Sequence, residues 1–230
     1  MEEELNSIIK AYDDLIRGIE NKAKVSTDRA YGGIIRGGKG KLVESIAKEI
    51  IKISWKGLGG NLEDLSFVNK KIKIPINKEY VEKIKNEEVK QYIKENINEF
   101  YYLLKTDIHV FIKDEFKIAV ECKAYTENAM LKRILVDFTL LKSLYPNLSF
   151  VLFQLESQLG GDYSSDKEIK FGSPSTHTLL SYFDVEINII TLLKGERKVD
   201  QPIHKEEFYK PLEKNALKEA AQIFKTLLIR

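Results

Sequence analysis

The sequence holds one cysteine, Cys122, and only five prolines and thirteen glycines in 230 residues. A lone cysteine excludes an internal disulfide framework, and with no CxxC, HExxH or clustered Cys/His spacing there is no pattern for a zinc site. A reducing, intracellular setting is the expectation. So little proline and glycine excludes collagen-like, low-complexity and linker-dominated chains. No apolar run approaches the roughly 18 residues that a membrane span needs, and Met1-Glu2-Glu3-Glu4 is acidic where a secretory signal would be basic. The expected location is the cytoplasm. An excess of one charge is also missing: Lys and Arg number 37 against 35 Asp and Glu, a formal charge of +2, which by itself points to no acidic or basic partner. With 43% apolar residues, the chain is long enough to bury a core as one domain, residues 1–230.

Distribution says more than the total. Between residues 22 and 42 stand Lys22, Lys24, Arg29, Arg36, Lys39 and Lys41 against Asp28 alone, a segment suited to a polyanion. Apolar residues at steps of three and four predict an amphipathic helix over 3–20 and another over about 42–54. Between them the glycine-rich stretch 31–41 reads as a flexible cationic loop. Residues 55–76 read as loop, and 78–104 as one or two solvent-facing helices, giving a largely helical first part to about residue 104. From 105 to about 195 the pattern is that of a sheet. A hairpin of 108–112 and 116–124 precedes a helix over 128–145, and short apolar strands follow at 149–153 and 185–192. A long polar connection spans 157–182, and a last helix lies within 205–230. The fold class is α/β, a mixed central sheet flanked by helices.

The chemistry concentrates on the hairpin. Asp107 begins its first strand, and fourteen residues later comes Glu121-Cys122-Lys123 on the second. Alternation puts Glu121 and Lys123 on one face, and pairing of the strands brings Asp107 beside them. Two adjacent carboxylates repel unless a cation sits between them. Hard oxygen donors favour Mg²⁺, which keeps several waters and shares its remaining positions with phosphate. Phosphodiester hydrolysis suits these parts, with Lys123 orienting the attacking water and offsetting charge at the phosphate. The plainer alternative is an Asp at a strand end and a Glu/Lys pair on a solvated face. Charged residues among Ile118, Ala119, Val120 and Ala124 disfavour it.

These residues resemble the PD-(D/E)xK nuclease superfamily, whose core of helix, strand, strand, helix, strand carries an acid and an ExK motif on its hairpin. The likeness spans roughly residues 40–155. Thr106-Asp107 stands where the family has Pro-Asp, and Val120-Glu121-Cys122-Lys123 where it has an apolar residue and ExK. The resemblance implies a restriction-endonuclease-like core, metal ligation by Asp107, Glu121 and the Cys122 carbonyl, and support from an acid on the preceding helix, for which Glu44 fits. Among branches, the chain is most similar to type II restriction endonucleases. It lacks any Gln over 126–145 for the QxxxY motif of the superfamily's exonuclease branch. A Mg²⁺-dependent, sequence-specific endonuclease of double-stranded DNA leaving 5′-phosphates is thereby implied, with a homodimer matching a palindromic site and a cognate DNA methyltransferase protecting the host. A repair or junction nuclease of the same fold and a non-catalytic nucleic-acid-binding module are the alternatives.

For DNA contact, Arg36, Lys39 and Lys41 are candidate backbone clamps. Thr126, Asn128, Lys132 and Arg133, just past the ExK strand, are candidates for base or backbone contact. Residues 33–39 also satisfy the GxxxxGK part of a phosphate-cradling loop. Position 40 is Gly where that motif needs a hydroxyl, so nucleotide binding is disfavoured. His109, His177 and His204 lie in strand, loop and tail with no shared motif, and Cys122 is expected in the core.

Overall fold

A computed structural model describes residues 2–24, 28–164 and 172–230, excluding the side chains of 20–24 and 28–32. Helices α1 (Glu2–Lys24) and α2 (Asp28–Gly57) open the chain. The α2 stripe of Leu42, Val43, Ile46, Ala47, Ile50 and Ile51 is buried, as its spacing predicts, and burial of each large side chain contributes about 1.5–3 kcal/mol.

Strands β1 (Leu65–Val68) and β2 (Ile72–Pro75) follow, then short helices α3 (Lys78–Glu82) and α4 (Glu87–Glu95) and strand β3 (Tyr101–Leu104). The hairpin is β4 (Ile108–Ile112) and β5 (Glu115–Glu127), and its turn residue Lys113 takes a left-handed conformation, φ 54°. Such a conformation belongs to tight two-residue hairpin turns. Next come α5 (Asn128–Leu144), β6 (Ser149–Gln158), α6 (Pro174–Ser181), β7 (Ile187–Thr191) and α7 (Lys214–Leu228).

The main sheet has the order β1-β4-β5-β6-β7, antiparallel through β5 and parallel from β5 to β7. One face packs Val110, Val120, Cys122 and Phe153 against α1, α2 and α7. The other packs Ala119 and Leu152 against Leu131, Leu135 and Phe138 of α5. The mixed sheet flanked by helices is therefore the observed class.

Four local expectations differ from the structure. The stretch 31–41 is not a loop but part of α2. Its glycines weaken a helix, yet Gly38 lets α1 approach closely: a Cβ there would lie 2.6 Å from Ile19 Cδ1. The presumed loop 55–76 contains β1 and β2, and the end of 78–104 is β3. Each of these strands is four residues long, too short to show alternation. Strands β2 and β3 form a separate two-stranded sheet that adds Ile74 and Leu104 to the α5 core. The polar connection 157–182 carries the end of β6 and all of α6, the latter capped by Ser173 Oγ accepting from the Thr176 amide at 3.2 Å; residues 165–171 lie outside the described residues. No helix among the described residues is long and apolar enough to cross a membrane.

Candidate active site

Register fixes the site. Ile108 pairs with Val120, so Asp107, one residue earlier, stands at the level of Glu121. The Asp107 carboxylate is anchored through Oδ2, which accepts from the Cys122 amide at 2.8 Å. Lys123 Nζ donates to the same oxygen at 3.2 Å and to Glu121 Oε1 at 2.6 Å, and it also donates to the Cys122 carbonyl at 3.2 Å. The two acids and the amine thus converge on one point, as alternation along β5 predicts.

The site is half shielded: side-chain exposure is 31% for Asp107, 19% for Lys123 and 11% for Glu121. Burial pushes the Glu121 carboxyl above its usual range; Lys123 opposes this, and the Asp107 and Asp137 charges add to it. For Lys123, burial works against the charge, but the Glu121 and Asp107 carboxylates overcome it and raise the ammonium's pKa. The Lys123 direction reflects two carboxylates around one ammonium, whereas that of Glu121 reflects burial first. Glu44 on α2 is half-buried and adds to the negative charge, since its charge reaches Cys122. The Cys122 thiol itself points away into the core, and burial first, then Asp107 and Glu44, hold it well above an ordinary thiol.

These parts fit a hard divalent cation. Among the described residues, no group of three Asp, Glu, His or Cys side chains is placed to hold a metal unaided. Two carboxylates and a backbone carbonyl would leave the other positions around such a cation to water and phosphate, as Mg²⁺ prefers. Lys123 Nζ now occupies the position of countercharge between the carboxylates.

The candidate DNA contacts divide. Arg36, Lys41, Lys132 and Arg133 are exposed. Lys39 is half-buried, with Nζ 3.3 Å from His204 Nδ1. Thr126 is a correction: β5 runs on to Glu127, so Thr126 is a fully buried strand residue, not a surface group at the start of a helix. Asn128 is half-buried, with Oδ1 accepting from Thr176 Oγ1 at 2.8 Å. The side chains of Lys22, Lys24 and Arg29 lie outside the described residues. His109 is buried, its Nε2 3.4 Å from the Thr106 amide and its ring against Phe116, which is a packing role.

Sequence reasoning missed a second charged cluster where β5 and β6 leave the sheet. Glu156 Oε1 pairs with Lys210 Nζ at 2.9 Å, and the Arg197 guanidinium lies 3.8 Å from the Tyr125 ring centroid. Arg197 also donates to Gln158 Oε1. Each of these contacts joins residues far apart in the chain, so no local motif announces them.

Comparison with known proteins adds the family. No protein-family model matches the chain. A solved structure titled "native BbvCI A2B2 tetramer at low resolution" aligns at 14% identity with a TM-score of 0.39, over 100% of this chain and 89% of that one. The type II restriction enzyme DdeI of Desulfomicrobium norvegicum is 50% identical over 224 residues, covering 95% of this chain and 93% of that enzyme. The match spans nearly the whole of both chains, and the chain belongs to the type II restriction enzymes, the site-specific DNA endonucleases.

Proposed function

We propose that Asp107, Glu121 and the Cys122 carbonyl hold Mg²⁺ at the hairpin, and that cleavage of double-stranded DNA takes place there. The observation that carries this reading is the single ammonium of Lys123 hydrogen-bonded to both carboxylates. The arrangement leaves a negative site at the surface in need of a further cation. Bound there, Mg²⁺ would offset charge at the phosphate and acidify a nearby water.

The chain's own groups do the rest. Lys123, held by both carboxylates, would donate to the attacking water or to a phosphate oxygen and fix its direction. Asp107 stays in place because the Cys122 amide holds it independently of Lys123. Glu44 supports the outer shell from α2. Attack on phosphorus opposite the 3′ oxygen leaves the product with a 5′-phosphate. Arg36 and Lys41 clamp the backbone, while Lys132, Arg133 and Asn128 approach the duplex from the start of α5. The working form is a homodimer, one site per strand of a palindrome. The enzyme acts in the cytoplasm, beside a methyltransferase that protects host sites.

Digestion of a supercoiled plasmid tests the reading. Discrete fragments with ligatable 5′-phosphate ends are expected with Mg²⁺ and none after chelation. A smear, or cutting that survives chelation, would refute it.

A further inference from the structure

We propose that the outward face of the β2–β3 ribbon, with Lys71, Lys73 and Lys105 on it, is a duplex-binding surface that grips the DNA backbone within about four base pairs of the cut. The inference deepens the reading of the hairpin as the cleavage centre and rests on it.

The ribbon continues the active-site strands. Val68 of β1 pairs with His109 of β4, and Ile72 of β2 pairs with Leu104 of β3. The four strands therefore run as one antiparallel ribbon with a joint at residues 69–71 and 105–107, and Asp107 lies in that joint. On the inward face, Ile74 and Leu104 are buried in the α5 core. Alternation turns Lys73, Pro75, Tyr101 and Leu103 outward, and all four are exposed. Lys73 Nζ lies 4.2 Å from the Tyr101 ring centroid, which holds it on that face.

Charge on the ribbon is of one sign. Residues 69–76 and 100–105 include Lys70, Lys71, Lys73 and Lys105 and no acid. All four lysines are exposed, and none pairs with a carboxylate among the described residues. Of the flanking acids, Asp107 is held by the Cys122 amide and Lys123, and Glu99 lies beyond the far end of β3. At the ribbon's tip, by contrast, Lys90 pairs with Glu87 at 3.4 Å and Lys94 with Glu82 at 2.8 Å. One step past the Ile72–Leu104 pair, the register sets Lys71 opposite Lys105, and like charges opposed across a ladder repel. A phosphate relieves that repulsion, and a two-stranded ribbon has the width to enter a groove of the duplex. Lys105 stands two residues before Asp107, about 7 Å of extended chain, and Leu103 four, about 13 Å. At about 3.4 Å of rise per base pair, these lengths correspond to about two to four base pairs from the cut.

The test measures binding of metal-free protein to a short fluorescent duplex containing the cut site, over a salt series. Removing one phosphate contact reduces the slope of log K against log salt by about 0.9. Lys71→Gln and Lys105→Gln should each show that loss, and the two together about twice it. Lys94→Gln, which removes a lysine already paired on α4, should show none. Neutral methylphosphonates at the phosphates about two to four base pairs from the cut should weaken the wild type and affect the double variant less. Unaltered slopes in both single variants, an equal loss with Lys94→Gln, or wild-type binding indifferent to the neutral phosphates would overturn the proposal. The wild-type arm needs no variant to fold. Because every readout is binding without metal, a wrong assignment of the cleavage centre appears separately, as cutting that survives loss of Glu121.

Discussion

Removing the ammonium of Lys123 leaves the Asp107 and Glu121 carboxylates facing each other with no cation between them. In metal-free protein, Lys123→Met should cost about 1–3 kcal/mol, less than for a fully buried pair because Asp107 is 31% exposed. Mg²⁺ should then raise the melting temperature of the variant more than that of the wild type, since ligand binding to the folded state stabilises it. Thermal melts with and without Mg²⁺ check this, and equal responses would contradict it. Asp107, Glu121 and Lys123 were legible in the sequence because a hairpin is local and alternation assigns faces. The pairing of Lys39 with His204 was not, since 165 residues separate them. Thr126 was misplaced for a related reason: sheet pairing with Ser157 carries β5 past the point where its apolar pattern stops.

Helix α2 shows the same limit one scale up. Its glycines mark residues 31–41 as a loop by composition, but packing against α1 and the buried stripe from Leu42 onward make the segment helical. Gly37 and Gly40 have open space where a Cβ would stand, so Gly37→Ala and Gly40→Ala should each stabilise the fold by about 0.5–1 kcal/mol. Urea denaturation measures this, and no gain from either substitution would argue for a loop. The ends of α1 and α7 are also joined: exposed Glu2 bonds Lys214 and Lys218 at 2.9 and 2.7 Å. Those hydrogen bonds, Lys218 first, hold its carboxyl down at about 2 against the usual 4.5. A depressed carboxyl adds stability above its unfolded pKa and loses it as pH falls from about 4.5 toward 2. Glu2→Gln should therefore flatten the fall in melting temperature across that window at low salt, and high salt should erase the difference. An unchanged acid limb would contradict the assignment.

For the whole molecule, a net charge of +2 gives DNA little long-range attraction, so binding depends on where charge is placed. The topology supplies that placement. Register sets Asp107 against Glu121, α2 brings Glu44 toward the same strand, and the ends of β5 and β6 carry the Glu156–Lys210 pair and Arg197 against Tyr125. The order of helix, strand, strand, helix, strand was readable because the two helices are long enough to show their period and the two hairpin strands are adjacent in the chain. The inserted pair β2 and β3 was not, because each strand is short and its partner lies about 30 residues away, across α3 and α4.

The account turns on the hairpin as the place of hydrolysis, and Glu121→Ala tests that most directly. With Mg²⁺ present, cleavage of supercoiled plasmid by this variant should fall on the order of a hundredfold or more, while its affinity for the duplex stays within a few-fold of the wild type. Cutting at the wild-type rate would contradict it.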